Sequence, residues 1–393
     1  MNNLRLLVDS IWRLTWESQD AVHSEELFVP FNPWREGDLC IPPLARHLEH
    51  PKPGSRLKLT LPPGEVIPQY RTDKDYDFPL ESFSVKGRLP RLGRFYPKHL
   101  LLGFSGNLTT FRCLGVENGK FTADFNHPLA GNPLTLEVII HKIKQKRGEK
   151  GGECQDWLDH LTTGPGIQAR SQGLPTDFFA DDPFHREDDL NDGIFYEQPR
   201  LVSHVDTQAQ ASIAALYSRL LKPGMAVLDL MSSWQSHLPH GLELKSLVGL
   251  GLNEEELQRN PRLTGLVLHD LNQDPKLPFP DEQFDAIICN LSVEYLIRPG
   301  EVFAEVARVL KPGGLFVQTF SNRWFPPKVV QIWTELHEFE RVGLVLEYFL
   351  RSGNFGNIKT FSSRGRPRPQ TDRYYPQIRF SDPVYALWGE KLA

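Results

Sequence analysis

LPFPDEQFDAIICNLSVEYLIRPGEVFAEVARVLKPGGLFVQTF, residues 277–320, decides the fold of the half of the chain in which it lies. FDAIICNL is a short, nearly continuous apolar run with Asn290 near its end. A helical pattern follows from about Glu301 to Leu310, and Pro312-Gly313-Gly314 turns the chain into a second apolar run, LFVQTF. Such strands, separated by helix-length segments, indicate a parallel sheet covered on both faces. The pattern repeats upstream in AVLDL (226–230), SLVGLGL (246–252) and LVLHDL (266–271). In a doubly wound sheet of this kind ligands sit outside the carboxyl ends of the strands, where a strand-to-helix turn offers backbone N–H groups. Attention therefore falls on Asp229, the turn Met231-Ser232-Ser233-Trp234-Gln235, Asp270 and Asn290. A nicotinamide site would need Gly-x-Gly-x-x-Gly after the first strand, and that turn holds no glycine.

Working outward, 393 residues are enough for two or three domains. The net charge of -5 argues against a protein that binds polyanions through bulk electrostatics. The amino terminus lacks a cationic segment before its apolar residues and no apolar run is long enough to span a membrane, so a cytoplasmic protein is expected, without membrane or nucleic-acid partners. The cysteines are scattered at Cys40, Cys113, Cys154 and Cys289, which indicates neither a metal site nor a disulfide framework.

Residues 1–145 alternate short apolar runs such as IWRLTW, LKLTL and LTLEVIIHKI with Gly, Pro and Asn, the pattern of a mostly antiparallel sheet. From 146 to 194 the chain is charged and contains GPGIQARSQGLP, which reads as a linker carrying a short helix near Trp157–Leu161. The doubly wound domain then occupies 195–393.

Residues 195–393 resemble the class I S-adenosylmethionine-dependent methyltransferases, on the strength of LPFPDEQFDAIICN, EVARVLKPGGLFVQTF and the ending SDPVYALWGEK. The resemblance implies a Rossmann-like, mostly parallel seven-stranded sheet that binds S-adenosylmethionine. It implies that Asp229 lies near the methionine amino group, Ser232 and Ser233 in the cofactor turn, Asp270 and Leu271 at the adenine edge, and Asn290 under the methyl-bearing end. Gly251 stands where the family places a ribose-binding acid, with Asn253 or Glu254 as substitutes. Tyr196 and Arg200 are placed to lie over cofactor or substrate, and His204 and Tyr295 are the candidate catalytic residues; each also has an ordinary reading as helix start, solvated charge or core. Arg364, Arg366, Arg368 and Arg373 read as a solvated loop or as a steering patch for an anionic acceptor.

ADFNHPLAGNPLTLEVIIHKI (123–143) resembles the FKBP-type peptidyl-prolyl isomerases of the SlyD kind, over about 5–143. In that family Asn126-His127-Pro128-Leu129-Ala130-Gly131 would return the chain from an inserted flap, here about 83–124, which holds unfolded or proline-containing peptides. Prolyl isomerisation needs an apolar well for the proline ring, for which Trp16, Phe31, Ile41 and Leu44 are candidates, although Ile67-Pro68 replaces the family's usual Tyr-Gly pair. The combined expectation is a methyltransferase whose FKBP-like domain recruits a peptide, protein or small-molecule acceptor. The alternative is an FKBP-like folding factor or chaperone with a vestigial methyltransferase fold.

Overall fold

A computed structural model describes residues 6–33, 44, 46, 48, 50–85, 88–145 and 154–393. The chain divides into two compact units, Met1–Phe178 and Phe179–Ala393.

In the first unit, strands β1 (Leu6–Glu17), β2 (Val22–Phe31), β3 (Arg56–Leu61) and β8 (Leu134–Gln145) pair antiparallel in the order β2-β1-β8-β3. Alternation along β1 puts Val8, Ser10, Trp12, Leu14 and Trp16 on the buried face. The one polar member of that row is satisfied: Ser10 Oγ donates to the Val29 carbonyl at 2.7 Å and accepts from Trp12 Nε1 at 3.1 Å. A second sheet, β4 (Asp75–Pro79), β5 (Phe95–Pro97), β6 (Thr110–Glu117) and β7 (Lys120–Asp124), has the order β4-β7-β6-β5 around Phe83, Phe111 and Phe121. It begins at Asp75, ahead of the expected start near 83, because Phe78 stacks on Phe121 and Phe125 and draws the polar segment DYDFP into the sheet. Asn126 closes the insert where the chain leaves it, exchanging two hydrogen bonds with the backbone of Arg71.

The stretch expected to be a linker is packed. Helix α1 (Trp157–Thr162) lies against β1 and β2, and its Leu158 and Leu161 share one core with Trp16, Phe31, Leu44 and Ala169. Phe31 and Leu44 are therefore buried in that core rather than open as a well, and Trp16 borders a cavity of about 250 Å³. Ile41, the remaining candidate, lies outside the described residues.

In the second unit, strands β9 (Ala226–Leu230), β10 (Ser246–Gly251), β11 (Gly265–Leu268), β12 (Phe284–Asn290), β13 (Leu310–Phe320), β14 (Phe355–Arg364) and β15 (Val384–Lys391) follow the order β11-β10-β9-β12-β13-β15-β14. The pairs from β11 to β13 are parallel and the two involving β15 are antiparallel, so the sheet is mixed. Chain order reverses between β9 and β12, and a crevice opens at such a switch point. Helices α2 (Thr207–Leu220), α3 (Glu254–Gln258), α4 (Pro299–Val309) and α5 (Glu338–Ser352) complete the layers. Pro299 starts α4, and Gly353 ends α5 in the left-handed conformation that favours glycine. Among the described residues no helix is long and apolar enough to cross a membrane.

Asp206 caps α2, accepting from the N–H groups of Gln208 and Ala209 at 2.8 and 3.0 Å. It also accepts from Asp382 N at 2.6 Å and lies 3.4 Å from the Arg368 guanidinium, which donates to Asp382 Oδ1 at 2.6 Å. Arg368 is thus the buried partner of three carboxylates, Asp206, Asp372 and Asp382, not part of a solvated loop. Removing one member of a buried charge cluster leaves the others unpaired, so Arg368→Met should lower unfolding free energy by roughly 3–5 kcal/mol. A loss below about 1 kcal/mol in urea unfolding would contradict this role.

Candidate active site

The crevice is organised by the turn after β9. Asp229 is buried, in register with Gly249 of β10 and Ile288 of β12. The next turn residue, Met231, has φ +54°, a conformation ordinarily left to glycine and costing on the order of 1 kcal/mol or more. The bend is held by Ser232 N donating to the Leu250 carbonyl at 2.7 Å and Ser232 Oγ donating to Asp229 Oδ2 at 2.7 Å. A Cβ on Gly251 would stand 2.4 Å from the Ser232 carbonyl oxygen, so the end of β10 accepts only glycine. This explains the missing acid at that position: the turn lies where its side chain would begin.

Burial pushes the Asp229 carboxyl up to about 6, against the hydrogen bonds that favour its charge. Asn290, at the end of β12, accepts from Tyr217 Oη at 2.6 Å and Thr319 Oγ1 at 2.9 Å, which fixes its amide to point nitrogen-first toward Asp229 and the Ser236 carbonyl, at 3.4 and 3.5 Å. Asp270 and Leu271 follow β11, where Asp270 accepts from Asn272 N and Gln273 Nε2, both at 2.9 Å.

The segment 196–204 is pinned to α3. Glu256 accepts from Arg200 N and from Ser233 Oγ, both at 2.6 Å, and so joins this segment to the β9 turn. Asn253 was expected to substitute for the ribose acid, but its amide nitrogen donates to the Tyr196 and Glu197 carbonyls at 2.9 and 3.0 Å, while its oxygen accepts from Glu256 N at 3.0 Å. Glu254 accepts from Gln258 and does not line the crevice. The Arg200 guanidinium sits over the rings of Phe195 and Phe325 at 4.0 and 4.7 Å.

These elements enclose a cavity of about 560 Å³. Asp229, Ser232, Ser233, Gly251, Asn253, Glu256, Asp270, Leu271 and Asn290 line it on the strand-end side. Tyr196, Arg200, His204, Tyr295, Trp324 and Tyr374 line it elsewhere, with His237, Arg323, Phe325 and Arg373. Of the site residues named from the sequence in this half, Glu254, Arg364, Arg366 and Arg368 stay outside the crevice and the others meet in it. Burial lowers the His237 imidazole to about 4, helped by nearby His204, whose own value is also lowered by burial. Tyr295 Oη accepts from Phe325 N at 2.8 Å, and burial pushes its phenol up.

Sequence reasoning missed His237, which sits in a loop without periodicity, and Glu256, whose signal was only an acid in the first turn of a helix. It also missed Asp192, which lines the crevice at the centre of a charge cluster. Arg186 Nη1 donates to Asp192 Oδ1 at 2.8 Å, the fully buried Lys328 lies 3.2 Å from the same oxygen, and Asn272 Nδ2 donates to Asp192 Oδ2 at 2.8 Å. Arg186 and Asp192 had read as linker.

Residues 236–318 match the family model described as a methyltransferase domain. The chain is 29% identical over 161 residues to the ubiquinone/menaquinone biosynthesis C-methyltransferase UbiE of Laribacter hongkongensis, covering 38% of this chain and 64% of that protein. It is 32% identical over 111 residues to the demethylmenaquinone methyltransferase of Renibacterium salmoninarum, covering 27% and 45%. The chain thus spans less than two thirds of the length of these curated relatives. The S-adenosylmethionine-dependent methyltransferase of Mesorhizobium loti, a solved structure, is 20% identical, covering 44% of this chain and 95% of that one with a TM-score of 0.32.

One buried carboxyl stands behind the crevice. Glu294, beside Tyr295, is buried, and neither of its oxygens accepts from another residue, so burial pushes it from 4.5 up to about 8. Between these values the folded state holds a proton that the unfolded chain releases, so this group costs stability as pH rises, approaching about 1.4 kcal/mol per unit. Glu294→Gln should therefore gain stability over wild type progressively from pH 5 to pH 8. Parallel stability curves for the two proteins would refute a neutral Glu294.

Proposed function

We propose that the second unit is an S-adenosylmethionine-dependent methyltransferase and that the first is an FKBP-like, peptide-holding domain that serves it. The observation carrying the first part is the convergence of Asp229, the Ser232-Ser233 turn, Asp270-Leu271 and Asn290 on one crevice at the switch point of a doubly wound sheet. The crevice fits the cofactor in size, about 560 Å³, within the range of small-molecule sites. It fits in chemistry too: glycine at 251 lets the turn lie flat on β10 and leaves Asp229, Ser232 and Asn290 as polar groups along the crevice.

When bound, S-adenosylmethionine supplies an electrophilic methyl group on a positively charged sulfur. The chain's own part is then to hold, orient and dry. Asp229, with Ser232 and Asn290 fixed beside it, presents a polar anchor for an ammonium group. Asp270 and the backbone of Leu271 present an acceptor and a donor to a base edge, and Glu256 holds the segment 196–204 in place over the crevice. His237 and His204, uncharged at neutral pH, are the groups able to take a proton from an acceptor. Tyr295 holds the Phe325 backbone by accepting its N–H and keeps its own O–H as a donor. Water exclusion and alignment supply most of the rate in such a transfer.

The FKBP-like reading of the first unit rests on the Asn126–Gly131 return loop and on an inserted small sheet between β3 and β8. Its acceptor-recruiting role makes a peptide or protein acceptor the first to test, with small molecules next. In titration calorimetry of the full chain, S-adenosylhomocysteine should bind one to one with a micromolar constant, and Asp229→Ala should weaken it at least tenfold. No heat at millimolar ligand would overturn the methyltransferase reading.

A further inference from the structure

Residues 164–173, GPGIQARSQG, lie along the first unit as a strap, and their polar contacts are those of a bound peptide. Pro165 to Ala169 are buried although the stretch has neither helical nor strand periodicity. Gln168 Nε2 donates to the buried Glu25 Oε1 at 2.7 Å, and the guanidinium of Arg112, on the small sheet, donates to the Ala169 carbonyl. Arg170 pairs with Asp20 in the β1–β2 turn at 3.7 Å. Gly166, at φ +93°, lies so close to the return loop that a Cβ would stand 2.5 Å from the Pro128 carbonyl oxygen. Ala169 enters the core that holds Trp16, Phe31 and Leu44, the residues named for a proline well. A cavity of about 250 Å³, lined by Trp16, Tyr70, His127 and Ala169 among others, remains beside the strap.

We propose that this strap is an intramolecular occupant of a peptide groove, and that an extended peptide of the strap's own chemistry, an amide side chain for Glu25 and a basic residue for Asp20 among small residues, binds the groove only when the strap leaves it. Two anchors serve a replacement equally well: Glu25 accepts an amide N–H and Arg112 donates to a backbone carbonyl. The strap itself presents Gly164-Pro165-Gly166-Ile167, a proline in a flexible, small-residue context, which is the chemistry expected of a stand-in for substrate. A tethered occupant lowers apparent affinity for any competing peptide by the fraction of time it is seated. The proposal rests on reading the first unit as a peptide-holding domain, and its test separates the two.

The test uses the full chain and a fluorescein-labelled peptide of the strap's own sequence, TGPGIQARSQG. Gly166→Val inserts a side chain into Pro128, and Gln168→Glu sets a carboxylate against Glu25. Hydrogen exchange over 164–173 reads whether the strap is released, and fluorescence anisotropy reads binding. In both variants the strap amides should exchange faster and the peptide should bind at least tenfold more tightly than to wild type. Faster exchange without tighter binding, or unchanged exchange in both variants, would overturn the proposal, because the segment would then be core and not occupant. The same peptide carrying Pro165→Ala separates the two readings: equal binding leaves the strap standing and removes the prolyl-specific reading of the unit.

Discussion

The approach of the Ser232 carbonyl to the Cα of Gly251 is the constraint from which the crevice follows. It lets the turn after β9 fold directly onto the end of β10, with Ser232 N bonded to the Leu250 carbonyl. That placement brings the Ser232 hydroxyl to Asp229 and the Ser233 hydroxyl to Glu256, and Glu256 in turn holds the segment carrying Tyr196, Arg200 and His204. The usual solution for such a turn is a glycine-rich sequence. Here Met231 adopts the left-handed conformation without one, and the glycine is displaced to the partner strand, where close approach demands it.

A second physical theme is the neutralisation of buried ionisable groups. Burial pushes the Asp229 and Glu294 carboxyls up and the His237 and His204 imidazoles down, so each moves toward its uncharged form near neutral pH. Two clusters of buried charges in the second unit are paired internally, Arg186–Asp192–Lys328 and Asp206–Arg368–Asp382.

Much of this was legible in the sequence because apolar runs mark the strands and strand ends mark the crevice. AVLDL, LVLHDL and FDAIICN each deliver a polar residue to one rim. What escaped reading has a common cause: its burial is carried by polar or small residues that leave no periodic trace. Residues 154–178 pack through one short helix and a Gly-Pro-Gly-Ile-Gln run, so they resembled a linker. The Arg186–Asp192–Lys328 cluster joins positions far apart in the chain, which no local pattern reports. Asn253 shows the converse, a residue of suitable type whose hydrogen-bonding capacity is consumed by neighbouring carbonyls.

The two units pose separable chemical questions, one of peptide capture and one of group transfer, and the second carries the central claim. A crystal structure of the chain with S-adenosylhomocysteine addresses it most directly. The adenine should lie beside Asp270 and Leu271, the amino group should face Asp229, and the sulfur should point toward the wall that holds His237 and His204. An empty crevice at millimolar ligand, or the ligand bound away from the carboxyl ends of β9 to β12, would contradict it.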